Sequence, residues 1–298
     1  MGYIEEVYDR TYNWNPWHGC IGVSEGCLNC YVKRYDSTYG VSFNKVKLNK
    51  TKVKLPIRKD KHGEWRIPPG SVINTSFMSD FFIEQADNWR SLAWEIVRKR
   101  KDCLFYITTK RVERIKDCLP DDWFNGWNNV IIGVTVENQR TADERLGRFV
   151  LNIPCKHKHI IAEPLLEDID ISMYLCGGDI EQITVGGESC PYNLTNRVAR
   201  EFRLEWAENL CRQAKEYDVN FLFHSVGSKF IKDGKLVKIR FSKDERQLAP
   251  FYKLDYTNSE GYIKEKWVQS IPKIEEGIRA DEAMRIWERV KRERRYNT

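Results

Sequence analysis

Asn129-Val-Ile-Ile-Gly-Val-Thr-Val136 is a near-continuous apolar run, and Thr141-Ala-Asp-Glu144 follows it closely. A strand with one wet face alternates apolar and polar residues. This run does not, so it predicts a strand buried on both faces. Thr141 with Glu144 three residues later has the pattern of a capping box and predicts a helix opening there. A buried strand passing straight into a helix is half of a βαβ unit, which implies a parallel sheet with right-handed crossovers.

The same alternation extends in both directions. Residues 12–17 read as a first strand, and Ser71-Val-Ile-Asn-Thr-Ser-Phe77 as the next. Ala86, Trp89, Ala93, Ile96 and Val97 then recur at helical spacing, with Asp87 as a candidate cap. Cys103-Leu-Phe-Tyr-Ile-Thr-Thr109 is a strand followed by a short helix over 112–118. His159-Ile-Ile-Ala162, Gln182-Ile-Thr-Val185 and Val219-Asn-Phe-Leu-Phe-His224 complete the strands. Val198, Phe202, Trp206, Leu210 and Ala214 predict a helix over 195–217. Six or seven such units predict an α/β fold, a full or partial (β/α) TIM-type barrel over residues 1–227. A flat doubly wound sheet is the alternative. No Gly-x-Gly-x-x-Gly or Walker-type loop follows any strand, which leaves nucleotide folds of those kinds without support.

From residue 228 the pattern changes. Residues 228–298 read as a basic C-terminal extension: a hairpin, Phe230-Ile-Lys-Asp-Gly-Lys-Leu-Val237, with Asp233-Gly234 at its turn, then a basic amphipathic helix over 281–295. This extension holds 18 basic and 12 acidic residues, whereas residues 1–227 hold 31 of each. Within the neutral part, residues 41–66 carry nine basic residues and two acids, and Arg98-Lys-Arg-Lys101 forms a second cluster. Solvated faces and polyanion contacts both account for such runs. Charged residues make up 31% of the chain, and no apolar run approaches the roughly 18 residues of a membrane span. The N-terminus lacks the basic and apolar regions of a secretory signal, so a cytoplasmic protein without a membrane partner is expected.

Six of the nine cysteines are scattered: Cys103, Cys118, Cys155, Cys176, Cys190 and Cys211. The other three form Cys20-x6-Cys27-x2-Cys30, in a loop with Gly19, Gly22 and Gly26. Clustered soft thiolates select zinc or iron–sulfur. His18 offers a fourth ligand for a Cys3His zinc site. Alternatively, three cysteines leave one iron of a [4Fe-4S] cluster open to a small molecule. The loop follows the first strand, at the end of a barrel where active sites sit, which favours the cluster.

Cys-x6-Cys-x2-Cys followed by Tyr31 resembles the radical S-adenosylmethionine (SAM) signature, with a first spacing three residues longer than the common Cys-x3-Cys-x2-Cys. The chain is similar, more closely, to a family of phage and prophage proteins with radical-SAM-type cysteines. The similarity rests on Trp14-Asn-Pro16 with the Cys loop, Met78-Ser-Asp-Phe81, Thr109-Lys-Arg111, Gly133-Val-Thr-Val-Glu137 with Ala142-Asp-Glu-Arg145, Glu163-Pro-Leu-Leu166 and Val185-Gly-Gly-Glu-Ser189. It implies a barrel that holds a [4Fe-4S] cluster on Cys20, Cys27 and Cys30. The cluster would be charged by an external electron donor, cleave SAM reductively to a 5′-deoxyadenosyl radical, and so abstract hydrogen from a substrate. Radical SAM enzymes often carry Gly-Gly-Glu near the second strand; here that region reads Thr75-Ser-Phe-Met-Ser-Asp80, and Gly186-Gly-Glu188 lies near the sixth. The family's Lys-Gln-Trp-Gly after the last strand reads His224-Ser-Val-Gly227.

Polar residues collect at the predicted strand ends, where helix capping explains them as readily as chemistry does. Within the resemblance, Ser79 and Asp80 are candidates for the SAM amino group, and Thr135 and Glu137 for its ribose. Lys110 is a candidate for its carboxylate or an anionic substrate, and Ser76 and Glu163 for the same cofactor site. Cys190, with Glu188 nearby, is a candidate catalytic hydrogen donor, set against the commoner buried, inert cysteine. His157, His159 and His224 are isolated and read as structural. The expected function is a radical SAM enzyme acting on a nucleic-acid base or nucleotide, in modification or repair. A non-catalytic zinc-stabilised nucleic-acid-binding protein is the alternative.

Overall fold

The computed structural model describes residues 11–38, 40, 42–189, 199–239 and 242–263. Seven strands lie side by side in the order in which the chain makes them: β1 Thr11–Trp14, β2 Val72–Thr75, β3 Leu104–Thr109, β4 Val130–Thr135, β5 His157–Ala162, β6 Ile180–Gly186 and β7 Asn220–Ser225. Every neighbouring pair is parallel. One helix follows each strand in turn: α1 Tyr31–Thr38, α2 Asp87–Lys99, α3 Val112–Ile115, α4 Gln139–Asn152, α5 Ser172–Leu175, α6 Leu204–Glu216 and α7 Ser242–Leu248. A doubly wound sheet reverses its strand order at a switch point. This one never does. It is a curled half-barrel whose first and last strands stay apart among the described residues, an architecture compatible with a partial β/α barrel.

All six residues of β4 are buried, as its apolar run predicts. One face of the sheet meets the helices. Ile73, Phe105, Ile132, Val134, Ile160 and Phe223 pack there with Trp94 and Val97 of α2, Leu146 and Phe149 of α4, and Leu210 of α6. The other face is more polar. Asn13 and Asn74 are hydrogen-bonded across β1 and β2 at 3.3 Å, and Tyr106 OH and His159 Nδ1 lie 3.3 Å apart between β3 and β5.

Several boundaries differ from the sequence reading. The first strand ends at Trp14, and Trp17–His18 pairs antiparallel with Lys47–Leu48 instead. Helix α4 starts before Thr141: Asn138 is the N-cap, its side chain accepting from Thr141 N at 2.9 Å, and the capping box is Asn138 with Thr141. Asp87 is the first residue of α2 rather than its cap, and its carboxylate binds Arg90 and Arg114. Of the expected helix over 195–217, α6 holds Leu204–Glu216, Phe202–Arg203 is drawn instead into a parallel pair with Phe230 and Ile231, and residues 195–198 lie outside the described residues. Arg100 is no part of a surface cluster. It is fully buried and donates to the carbonyls of Pro56 and Ile67 and to Asp102.

The expected hairpin is present, Phe230–Lys232 pairing antiparallel with Lys235–Val237. Asp233 and Gly234 both take positive φ, 50° and 69°, as a tight two-residue turn demands. Residues 228–263 do not stand apart as an appendage. Val226 N donates to Glu245 O, Ser228 N to Glu188 O, and Phe221 of β7 bridges Tyr256 in both directions. The expected basic helix over 281–295 lies outside the described residues. No helix among the described residues is long and apolar enough to cross a membrane.

Candidate functional site

In a parallel sheet all strands end on the same edge, so residues that follow different strands meet there. The three-cysteine loop lies across this edge and is tied to it strand by strand. After β2, Met78 O accepts from Gly19 N at 3.3 Å, and the Ser79 hydroxyl donates to Gly19 O. After β3, Arg111 places Nη1 3.8 Å from Cys20 Sγ and donates to Ile21 O through Nη2. After β4, Glu137 Oε1 accepts from Ser24 Oγ at 2.8 Å. After β6, Glu188 Oε2 accepts from Asn29 Nδ2 at 2.9 Å. Tyr31 OH closes the loop on Phe77 O at 2.8 Å.

Four carboxylates stand on this edge, and each is answered by a base of the chain itself. Asp80 accepts from Thr109 Oγ1, Lys110 N, Phe82 N and Arg111 Nη1, at 2.9 to 3.1 Å. Glu137, with no exposed side-chain surface, binds Lys110 Nζ at 2.7 Å and Arg145 Nη1 at 3.1 Å. Burial opposes its charge, but Lys110 and Arg145 prevail and hold its carboxyl below the ordinary range. Glu163 lies 2.8 Å from His224 Nδ1; burial is again outweighed, here by His224, Arg246 and Lys110, and its pKa is lowered. Glu188 is gripped by Arg200 through side chain and backbone and by Asn29, which lower its pKa against burial.

Glycines give these acids room. A Cβ on Gly26 would lie 2.6 Å from Glu137 Cγ, and one on Gly186 2.7 Å from Glu163 Cδ. Gly187 is pressed against Gly227, whose Cβ would lie 2.7 Å from Gly187 Cα. The Gly186-Gly-Glu188 stretch thus serves close packing of the β6 and β7 ends.

The donor set is of the chemical type that an iron–sulfur cluster takes. Cys20, Cys27 and Cys30 are free thiols, none fully buried, on one loop over the sheet edge. Burial first, and Asp80 second, push the Cys20 thiol up to about 12, while Arg111 beside it favours the thiolate. At the end of β2, Ser76 is held at φ 64°, and its Oγ is buried with no partner among the described residues. A left-handed serine with an orphaned hydroxyl is a strained, unsatisfied feature that a ligand can complete. Among the described residues no three His, Cys, Asp or Glu side chains are gathered into a ready-made metal site. His18 Nε2 is engaged by Asp36 at 2.8 Å.

Ser76, Ser79, Asp80, Lys110, Glu137, Glu163 and Glu188 are thus brought to one edge. Ser79 and Asp80, read as SAM contacts, have their polar atoms spent on the Cys loop and on Thr109, Lys110 and Arg111. Thr135 ends β4, and its carbonyl accepts from Arg145 at 2.6 Å. Glu188, read as catalytic, has both oxygens engaged by Arg200 and Asn29. Cys190 lies outside the described residues. Sequence reasoning gave Arg111, Arg145 and Arg200 no role, although Arg111 and Arg145 stood in stretches that had drawn notice, and it read His224 as structural. No curated protein and no solved structure matches the chain. A family model matches residues 6–282, nearly the whole length, and the chain therefore belongs to the family described as "Protein of unknown function (DUF5131)".

Proposed function

We propose that this protein is a radical SAM enzyme built on a partial (β/α) barrel, with a [4Fe-4S] cluster on Cys20, Cys27 and Cys30. The observation that carries the reading is the placement of the three-cysteine loop, anchored to residues following β2, β3, β4 and β6 on the edge where parallel strands end. When bound, the cluster supplies the electron for reductive cleavage of SAM. The chain's residues fix and shield. Arg111, oriented by Asp80, sets a cation beside Cys20. Glu137 and Glu188 pin the loop at Ser24 and Asn29. The Ser76 hydroxyl at the end of β2 offers an unsatisfied polar contact. The Glu163–His224 pair, each side chain about a quarter exposed, links two strand ends. A reducing cytoplasm suits the free thiols.

Anaerobic reconstitution with iron and sulfide tests this. A brown protein that bleaches with dithionite and forms 5′-deoxyadenosine from SAM is expected. Cys20→Ala, Cys27→Ala and Cys30→Ala should each abolish both properties, whereas Cys176→Ala should not. A colourless protein retaining one tightly held zinc ion overturns the reading in favour of a zinc-stabilised binding protein.

A further inference from the structure

Between α1 and β2 the chain forms an ordered, lysine-rich surface. Val53, Pro56 and Ile67 are buried, and Val46, Leu48, Leu55 and Ile57 pack against or into the core. Trp14 Nε1 donates to Val53 O at 2.9 Å, and buried Arg100 holds the carbonyls of Pro56 and Ile67. With its apolar side chains turned inward, the segment presents Lys45, Lys47, Lys50, Lys52, Lys54 and Lys59 to solvent. None of these six forms an ion pair among the described residues. Trp65 lies among the cations, its ring 4.7 Å from Lys59 Nζ and 4.8 Å from the Arg100 guanidinium.

This surface is continuous with the candidate site. Lys47–Leu48 pairs with Trp17–His18, just ahead of Cys20, and Cys20 N donates to Phe43 O at 2.8 Å. A Cβ on Gly19 would lie 2.6 Å from Lys45 O, so loop and lysine segment are pressed backbone to backbone.

The geometry points to a nucleic-acid strand as the partner of this surface, laid along the lysines so that one nucleotide reaches the three-cysteine loop. The inference rests on the proposed function for that last step and names its substrate class. Unpaired, regularly exposed ammonium groups are what phosphodiesters require, and phosphate neutralisation needs no apolar anchor. A membrane surface or an acidic protein would call for projecting apolar side chains, and this segment turns its own inward.

The test uses the full-length chain with a fluorescein-labelled single-stranded DNA and its RNA counterpart, titrated at low and moderate salt. The variant is K47Q/K50Q/K52Q/K54Q, with its melting temperature and iron content measured alongside. Binding by the parent chain should weaken with salt. The variant should bind at least about tenfold more weakly at low salt, with a log–log salt slope shallower by about 0.7 for each lysine that meets a phosphate. Equal binding by the folded variant, no binding by the parent at low salt, or equally tight binding to anionic phospholipid vesicles would each overturn the inference. The two readings fail separately. A colourless protein with lysine-dependent binding keeps the surface and loses the cluster; a brown protein that cleaves SAM and ignores both strands does the reverse.

Discussion

Gly26 is where the three-cysteine loop and the sheet edge are fitted most closely, and Gly26→Ala isolates that fit. The new Cβ would lie 2.6 Å from Glu137 Cγ, 2.7 Å from Oε1 and 2.9 Å from Cδ. Glu137 cannot swing aside cheaply. Its carboxylate is held by Lys110, Arg145 and Ser24, and its side chain has no exposed surface. Overpacking of this kind costs about 1–3 kcal/mol. Glu137→Ala alone leaves Lys110 and Arg145 unanswered and costs about 3–5 kcal/mol. In the double variant the clashing atoms are gone, so Gly26→Ala should then cost close to nothing. Denaturant unfolding of the four proteins gives the cycle, with an expected coupling of about 1–3 kcal/mol. In the single Gly26→Ala variant the added Cβ should displace the loop bearing Cys27 and Cys30, and that variant should also take up less iron on reconstitution. If Gly26→Ala costs the same with and without Glu137, the close fit does not constrain the loop and the reasoning fails.

Two further outcomes follow from other contacts. Arg111→Lys keeps the charge but not the fork that reaches Asp80, Cys20 and Ile21 O together, so iron occupancy should fall while the melting temperature changes little; unchanged iron content would remove Arg111 from the site. His159 is fully buried, its Nε2 lacks a hydrogen-bond partner among the described residues, and burial, then His157, lowers its pKa to about 3. Glu181 Oε2, 3.8 Å away and partly exposed, does not offset this. The unfolded chain takes up this proton below about pH 6.5 and the folded one does not until about 3, so stability present at neutral pH is lost across that window, about 2 kcal/mol of it by pH 5. His159→Phe should flatten the acid limb of the pH–stability curve, and an unchanged limb would show that the ring is protonated in the fold.

The sheet was legible because buried parallel strands write their burial into nearly every residue: Val130–Thr135 is buried throughout. Residues 202 and 203 were not, because Phe202 keeps helical spacing with Trp206 whether or not it joins the helix. Phe202 instead stacks on Phe230 at 6.0 Å, a partner 28 residues away that local periodicity does not encode. The three cysteines were legible by spacing. Their supports were not. An aspartate after a strand reads the same whether it faces a ligand or an arginine 31 residues on, and Asp80 faces the arginine. His224 looked isolated in the chain because Glu163 is brought to it only when β5 and β7 end on the same edge.

The edge carries a regularity that no single residue shows. Asp80, Glu137, Glu163 and Glu188 follow β2, β4, β5 and β6, and each meets a base: Asp80 meets Arg111 and Glu137 meets Lys110, both after β3, while Glu137 also meets Arg145 of α4, Glu163 meets His224 of β7, and Glu188 meets Arg200 ahead of α6. Buried ion pairs contribute little net stability over apolar packing of the same volume, so stability alone does not account for this clustering on one edge. What they do provide is position. The Asp80–Arg111, Glu137–Lys110 and Glu163–His224 pairs each join two strand ends, and three of the four acids, Asp80 through Arg111, also reach the cysteine loop. The loop is therefore tied to acids that already have partners within the chain, while the Ser76 hydroxyl at the end of β2 is left without one among the described residues. Acids spent on the edge's own bases and thiols left free are what the proposed cluster on Cys20, Cys27 and Cys30 would need, because preorganised chemistry requires rigidly held ligands.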